Sequence, residues 1–164
     1  MNSGCFGLET KDVLKKIKFI DIKGNKNEIN ADKLDLKYRS SNLKDTDIVT
    51  SAKFRIIYGE IQLIKDKINL IKLEREKKQP LKERTSGSTF KNPPNHFAAE
   101  LIDKAGCRGL EIGDAAVSLK HANFLINKGR ATAEEIEQLG QKIIDKVFDK
   151  FNILLDWEIK VVGD

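Results

Sequence analysis

The chain is poor in several residue types, and each shortage excludes something. Its 164 residues include only two cysteines, Cys5 and Cys107, far apart and without metal-ligand spacing. A disulfide framework is therefore excluded, and a reducing, cytoplasmic compartment fits. With only two histidines and no paired Cys or His at ligand spacing, a metal centre of the usual kind is not expected. No apolar run approaches the length of a membrane-spanning helix, and Met1–Gly7 lacks the basic start and apolar core of a secretory signal. Glycine-rich phosphate loops and nucleophile elbows are missing from the sequence. Aromatic residues make up 7%, too few and too scattered for a base-stacking platform, so no nucleic-acid partner is expected.

What is present is a globular composition: 40% hydrophobic, 34% charged, net charge +5. The positive balance fits an anionic ligand, but the lysines are spread along the chain and form no single basic block. Alternation predicts a strand over Ile17–Lys23, a turn at Gly24–Asn27 and a short return over Glu28–Asn30. Tyr38–Asn42 reads as a polar loop and Asp47–Tyr58 as another strand. Ile61, Ile64, Ile68 and Ile71 recur at helical steps, predicting a helix over Glu60–Lys77 with one apolar stripe, ended by Pro80. A domain boundary is placed in or just after this helix.

Leu81–Pro94 reads as a loop, after which Asn95 can cap a helix that buries Ala98, Leu101, Ile102 and Ala105 and stops at Gly106. Val117–Leu119 and Phe124–Asn127 read as strands. Thr132-Ala133-Glu134-Glu135 is a capping box for a helix burying Ile136, Leu139, Ile143, Val147 and Phe151, with Asn152 as a left-handed stop. Trp157, Ile159 and Val161 alternate with Glu158 and Lys160 as a closing strand. The expected class is α+β with mostly antiparallel pairing.

Candidate chemistry centres on Ser88, which follows Gly87 and precedes Lys91, Asn92 and a helix start. A glycine permits close approach of a ligand, and a helix start favours anions through its free amides. The same residues also suit an ordinary surface loop. Arg39 could clamp a carboxylate or be a surface arginine. Glu158 taken alone reads as a solvated strand carboxylate, and His121 as a structural histidine.

Several of these features fall in one order. Gly87-Ser88-Thr89-Phe90-Lys91-Asn92-Pro93 resembles the G-S-x-F-K-N-P motif of UDP-N-acetylenolpyruvoylglucosamine reductases. Lys78-Gln79-Pro80 resembles the family's K-x-P step, and Tyr38-Arg39-Ser40-Ser41 its Y-R-x-S loop. Met1–Gly7 resembles the M-N-A-G-A-Y-G turn of its flavin domain, with Cys5 and Phe6 as departures. His121–Asn127 is similar to the branch with a shorter substrate domain, and Leu155–Glu158 resembles the closing L-x-x-E strand.

The resemblance implies a flavoenzyme of peptidoglycan synthesis. NADPH reduces FAD, and the reduced flavin reduces an enolpyruvyl UDP-sugar to UDP-N-acetylmuramate. It implies that Ser88 supplies a proton while Arg39, and Glu158 as a polarising or protonated acid, stabilise the developing enolate-like charge, that Tyr38, Lys78 and Asn92 bind the UDP-sugar, and that Gly4, Cys5 and Gly7 approach the flavin. It further implies that residues 1–72 are an incomplete second lobe of the flavin domain and 73–164 a substrate domain. The family's G-G-G-S-N region has no counterpart here, so weak FAD binding, low activity of the chain alone, and exposed apolar surface at Met1–Phe6 and Ile159–Val162 are expected. A flavin lobe supplied by a second chain is the implied partner. A fragment that binds a UDP-sugar without redox chemistry is the alternative.

Overall fold

The first elements are two short strands that close a tight hairpin, β1 (Gly4–Cys5) and β2 (Leu8–Glu9). A Cβ on Gly4 would sit 2.7 Å from the Leu8 carbonyl oxygen, so only glycine lets the two strands approach this closely. Asn2, buried to 2% exposure, ties the hairpin down: its Nδ2 donates to Glu9 at 3.1 Å and its Oδ1 accepts from the Lys11 amide at 2.9 Å. A single helical turn, α1 (Thr10–Val13), follows.

The computed structural model describes residues 1–163, which divide into two units, Met1–Ile61 and a second beginning at Gln62. In the first unit, β3 (Leu14–Ile20) lies between β4 (Lys26–Asn30) and β5 (Ile48–Phe54), all antiparallel. The strand expected over Ile17–Lys23 is met only as far as Ile20 and begins earlier, at Leu14; Ile17 pairs with Ile29 and with Ala52 and is buried, as is Leu34. The turn sits slightly earlier than expected, because the Asp21 carboxylate accepts from the amides of Lys23 and Asn25, each at 2.9 Å. β5 ends at Phe54, short of the expected Tyr58. Ile56, Ile57 and Tyr58 leave the sheet and are 72%, 82% and 93% exposed.

Helix α2 (Ile61–Lys78) matches its expected span, but no residue on it is buried. Leu63, Leu70 and Leu73 fall outside the Ile61, Ile64, Ile68 stripe, so apolar surface spreads around the helix.

The second unit carries a four-stranded antiparallel sheet in the order β6 (Arg84–Ser88), β9 (Phe124–Asn127), β8 (Ala115–Val117), β7 (Glu111–Ile112). α3 (Ala98–Lys104) and α4 (Ala133–Phe151) join it around one core. That core holds Phe90, Ile102, Cys107, Val117, Leu139, Ile143 and Val147, each at most 2% exposed. The capping box of α4 is formed as expected: the Glu135 amide donates to Thr132 Oγ1 at 3.1 Å and the Thr132 amide to Glu135 Oε2 at 3.0 Å. Asn152 ends the helix at φ 54°, in the left-handed region.

Three expectations are corrected. β6 is a strand where a loop was expected: Arg-Thr-Ser-Gly-Ser has no apolar residue to mark it, and it exists as an edge paired only with β9. Asn95 does not cap α3; it sits at φ 62°, and Asn92 instead accepts from the Ala98 amide at 3.0 Å. The closing strand reduces to one bridge, Trp157 with Phe90, because Ile159–Val162 find no partner strand among the described residues. The class is α+β and every strand pairing is antiparallel, as expected.

Candidate active site

Ser88 is the last residue of β6, opposite Phe124, beyond an irregularity in the register between Thr85 and Ser88. Gly87 within that irregularity has φ 94°. Ser88 is exposed, whereas the next two residues are buried: Thr89 at 0% and Phe90 at 2%. The chain thus passes from an exposed hydroxyl into the core within one residue, and core bonds fix the exposed position.

Those bonds are numerous. The Thr89 amide donates to the Asn123 carbonyl at 2.8 Å, and Thr89 Oγ1 accepts from the Leu125 amide at 3.2 Å. The segment Asp156–Glu158 runs alongside: the Lys91 amide donates to the Asp156 carbonyl and the Glu158 amide to the Thr89 carbonyl, both at 2.8 Å. Ser88 and Glu158, seventy positions apart in the chain, therefore lie on neighbouring, hydrogen-bonded segments. Glu158 is half-buried and its Oε2 is withdrawn from solvent.

Trp157 holds this segment against the core. Its ring lies 4.9 Å from that of Phe90, centroid to centroid, tilted by 42°. On its other side is Gly140, inside α4. A Cβ there would fall 1.9 Å from Trp157 Cη2, so the ring occupies the space a side chain would take. Glycine inside a helix costs about 0.5–1 kcal/mol relative to alanine.

The other expected site residues fall as follows. Asn92 Oδ1 accepts from the first amide of α3. Lys78, at the end of α2, lies on the surface 3.8 Å from Glu74. In the first unit, Arg39 adopts φ 54° and its guanidinium stands 5.1 Å over the Tyr38 ring. Gly4, Cys5 and Gly7 are all exposed in the β1–β2 hairpin. Glu9 of that hairpin has its carboxyl lowered, first by its hydrogen bond from Lys11 and then by Asn2, with a smaller contribution from the Arg39 charge. Arg39 and the hairpin therefore share one electrostatic neighbourhood, while Ser88, Asn92 and Glu158 share the second unit.

His121 is half-buried and its imidazole is lowered, chiefly by burial and then by the Arg108 charge. Its Nδ1 accepts from the Asn123 amide at 3.3 Å and its ring meets Phe124 edge-on, which is a structural setting. Burial raises the Cys107 thiol. Among the described residues no cluster of His, Cys, Asp or Glu could hold a metal ion, and no helix is long and apolar enough to cross a membrane. Sequence reasoning passed over Asn123, Trp157 and Gly140 as parts of the site's frame. The signals were a polar residue inside an apolar run and a glycine inside an apolar helix period.

The family model described as UDP-N-acetylenolpyruvoylglucosamine reductase, C-terminal domain, matches residues 79–162. A UDP-N-acetylenolpyruvoylglucosamine reductase of Rickettsia bellii is 45% identical over 99% of this chain and 54% of its own length. One of Rhodopseudomonas palustris is 47% identical over 99% of this chain and 53% of its own. The crystal structure of UDP-N-acetylenolpyruvylglucosamine reductase from Thermus caldophilus superposes with a TM-score of 0.83 at 32% identity, covering 96% of this chain and 57% of that one. The chain belongs to the UDP-N-acetylenolpyruvoylglucosamine reductase family. It spans about half the length of the curated relatives it matches.

Proposed function

We propose that this chain takes part in reducing the enolpyruvyl ether of UDP-N-acetylglucosamine to UDP-N-acetylmuramate for peptidoglycan synthesis, with FAD as cofactor, NADPH as reductant and the cytoplasm as compartment. The observation that carries the reading is the pairing of the Ser88–Lys91 segment with Asp156–Glu158, which sets an exposed hydroxyl on one strand end and a half-buried carboxylate on its neighbour.

In this reading residues 1–72 form part of the flavin-binding domain and residues 73–164 the substrate domain. The β1–β2 hairpin suits a flat cofactor: Gly4, Cys5 and Gly7 are exposed there, and nothing stands within 4 Å of the space a Cβ on Gly7 would fill. When bound, FAD supplies the hydride; the remaining demands fall on side chains. Arg39, its guanidinium backed by Tyr38, stabilises the negative charge that develops next to the substrate carboxylate, and Glu158 assists as a polarising or protonated acid. Ser88 Oγ–H donates the proton. A serine hydroxyl is a weak acid, but it serves a strongly basic carbon when held within hydrogen-bond reach. Lys78 and Asn92 hold the UDP portion, the former as a point charge for phosphate and the latter from the start of α3.

Calorimetric titration with UDP-N-acetylglucosamine, with and without FAD, tests the reading. Lys78 lies in an exposed surface pair worth little to folding, so Lys78→Ala should keep the fold and weaken binding about tenfold. No binding by the unaltered chain sinks the reading.

A further inference from the structure

Trp157 is the single tryptophan of the chain, and its ring is seated between two features that border one core. One is Phe90, on the segment that continues Ser88. The other is Gly140, a buried position in the middle of α4, where a Cβ would lie 1.9, 2.7 and 2.8 Å from the Cη2, Cζ2 and Cζ3 atoms of the indole. Only glycine admits the ring there.

The consequences run along the backbone. Trp157 and Phe90 form a single antiparallel bridge. The amides on either side of it, Lys91 to the Asp156 carbonyl and Glu158 to the Thr89 carbonyl, make the only ladder that joins the closing segment to the Ser88 segment among the described residues. Two bonds hold this register weakly, and slippage by one residue would turn Glu158 to the opposite face. An aromatic wedge with one permitted seat can set it.

We propose that Gly140 is a positioning residue for Glu158: the notch it leaves in α4 seats Trp157, and the seated ring fixes the register in which Glu158 is presented next to the Ser88 strand end. The inference rests on the reading of Ser88 and Glu158 given above and adds to it a residue from a helix that bears no side chain of the site. It also assigns a function to the helical glycine, whose absence of a side chain is what the site needs.

Amide hydrogen exchange of the full chain, read residue by residue, tests the proposal together with Trp157 fluorescence. Gly140→Ala should red-shift the emission and speed exchange at the Lys91 and Glu158 amides by about tenfold or more, while the Cys107 amide, which closes α3 onto the Ile102 carbonyl, changes by less than about threefold. Combining it with Trp157→Phe, which lacks the colliding atoms, should return those two amides to the rates of Trp157→Phe alone. Unchanged emission and exchange in Gly140→Ala overturns the proposal, as does a uniform acceleration that includes Cys107, because a purely structural glycine would loosen the whole unit. Should Gly140→Ala fail to fold, Trp157→Leu removes the wedge without a collision; the same two amides should then exchange faster, and full protection overturns the proposal. Loss of the functional reading would appear elsewhere, as failure of the unaltered chain to bind UDP-N-acetylglucosamine, so the two failures are told apart.

Discussion

Asn123 and Phe90 hydrogen-bond each other twice: the Phe90 amide donates to Asn123 Oδ1 at 2.9 Å, and Asn123 Nδ2 donates to the Phe90 carbonyl at 2.8 Å. The side-chain amide, at 4% exposure, thus satisfies the Phe90 backbone just beyond the end of β6. Removing it orphans a buried donor and a buried acceptor together. Asn123→Ala should cost about 2–4 kcal/mol, read as a fall in the urea midpoint at unchanged slope. Asn123→Asp, which keeps the acceptor and loses the donor, should also be destabilised.

The capping box of α4 predicts a smaller effect. Thr132→Ala removes the acceptor for the Glu135 amide while leaving the apolar face of the helix intact. The expected loss is about 1 kcal/mol in thermal or urea unfolding, and Thr132→Ser should recover most of it.

His121 gives stability a pH dependence of definite sign. Burial, then the Arg108 charge, holds its folded-state imidazole below the ordinary 6.5. Between the lowered value and 6.5 the unfolded chain binds more protons than the folded one, so stability is lost as pH falls through that window and is unaffected by this group above it. The lowered carboxyls of Glu9 and Asp103 act in the same direction, but below their ordinary values of 4.5 and 3.8. The urea midpoint should therefore fall between about pH 7.5 and about pH 5.5, and His121→Gln should flatten that change. An equal slope in the variant would assign the dependence to other groups.

The two thiols should differ sharply in reactivity. Cys5 is exposed, whereas Cys107 is fully buried and its thiol is raised by that burial, which depletes the nucleophilic thiolate. A thiol reagent should titrate one group per native chain and the second only on unfolding. Cys107→Ala, leaving a small gap in the core, should remove the slow group.

Elements that carry their own apolar period are legible in the sequence. α4 announced itself through Thr132, Glu135 and the Leu139, Ile143, Val147 spacing, and β3 through the alternation around Ile17. β6 was not legible, since Arg84–Ser88 has no apolar residue and becomes a strand only because β9 offers it an edge. The reverse failure occurs at the closing segment: Ile159 and Val161 alternate like a strand, but pairing stops at Trp157–Glu158. At the site, Ser88 was a candidate from its own neighbours and Glu158 only through the family resemblance, whereas Gly140 and Trp157 were not candidates. A notch and its wedge are defined by tertiary contact, and a glycine inside an apolar helix period does not name the ring that fills it.

The sharpest functional prediction separates Ser88 from its frame. Its hydroxyl is exposed, while the residues that hold it, Thr89 and Phe90, are buried, so Ser88→Ala removes the proton donor without opening the core. In an NADPH oxidation assay with FAD, the enolpyruvyl UDP-sugar and the flavin lobe supplied as a second chain, kcat should fall by about 10²–10⁴ while the affinity for UDP-N-acetylglucosamine stays within about threefold. Thr89→Val should behave in the opposite way. It deletes the acceptor for the Leu125 amide at 3.2 Å, so it should lower stability and disturb binding and turnover together. If Ser88→Ala instead raised KM at unchanged kcat, the hydroxyl would be a binding group and the proton would have to come from another donor.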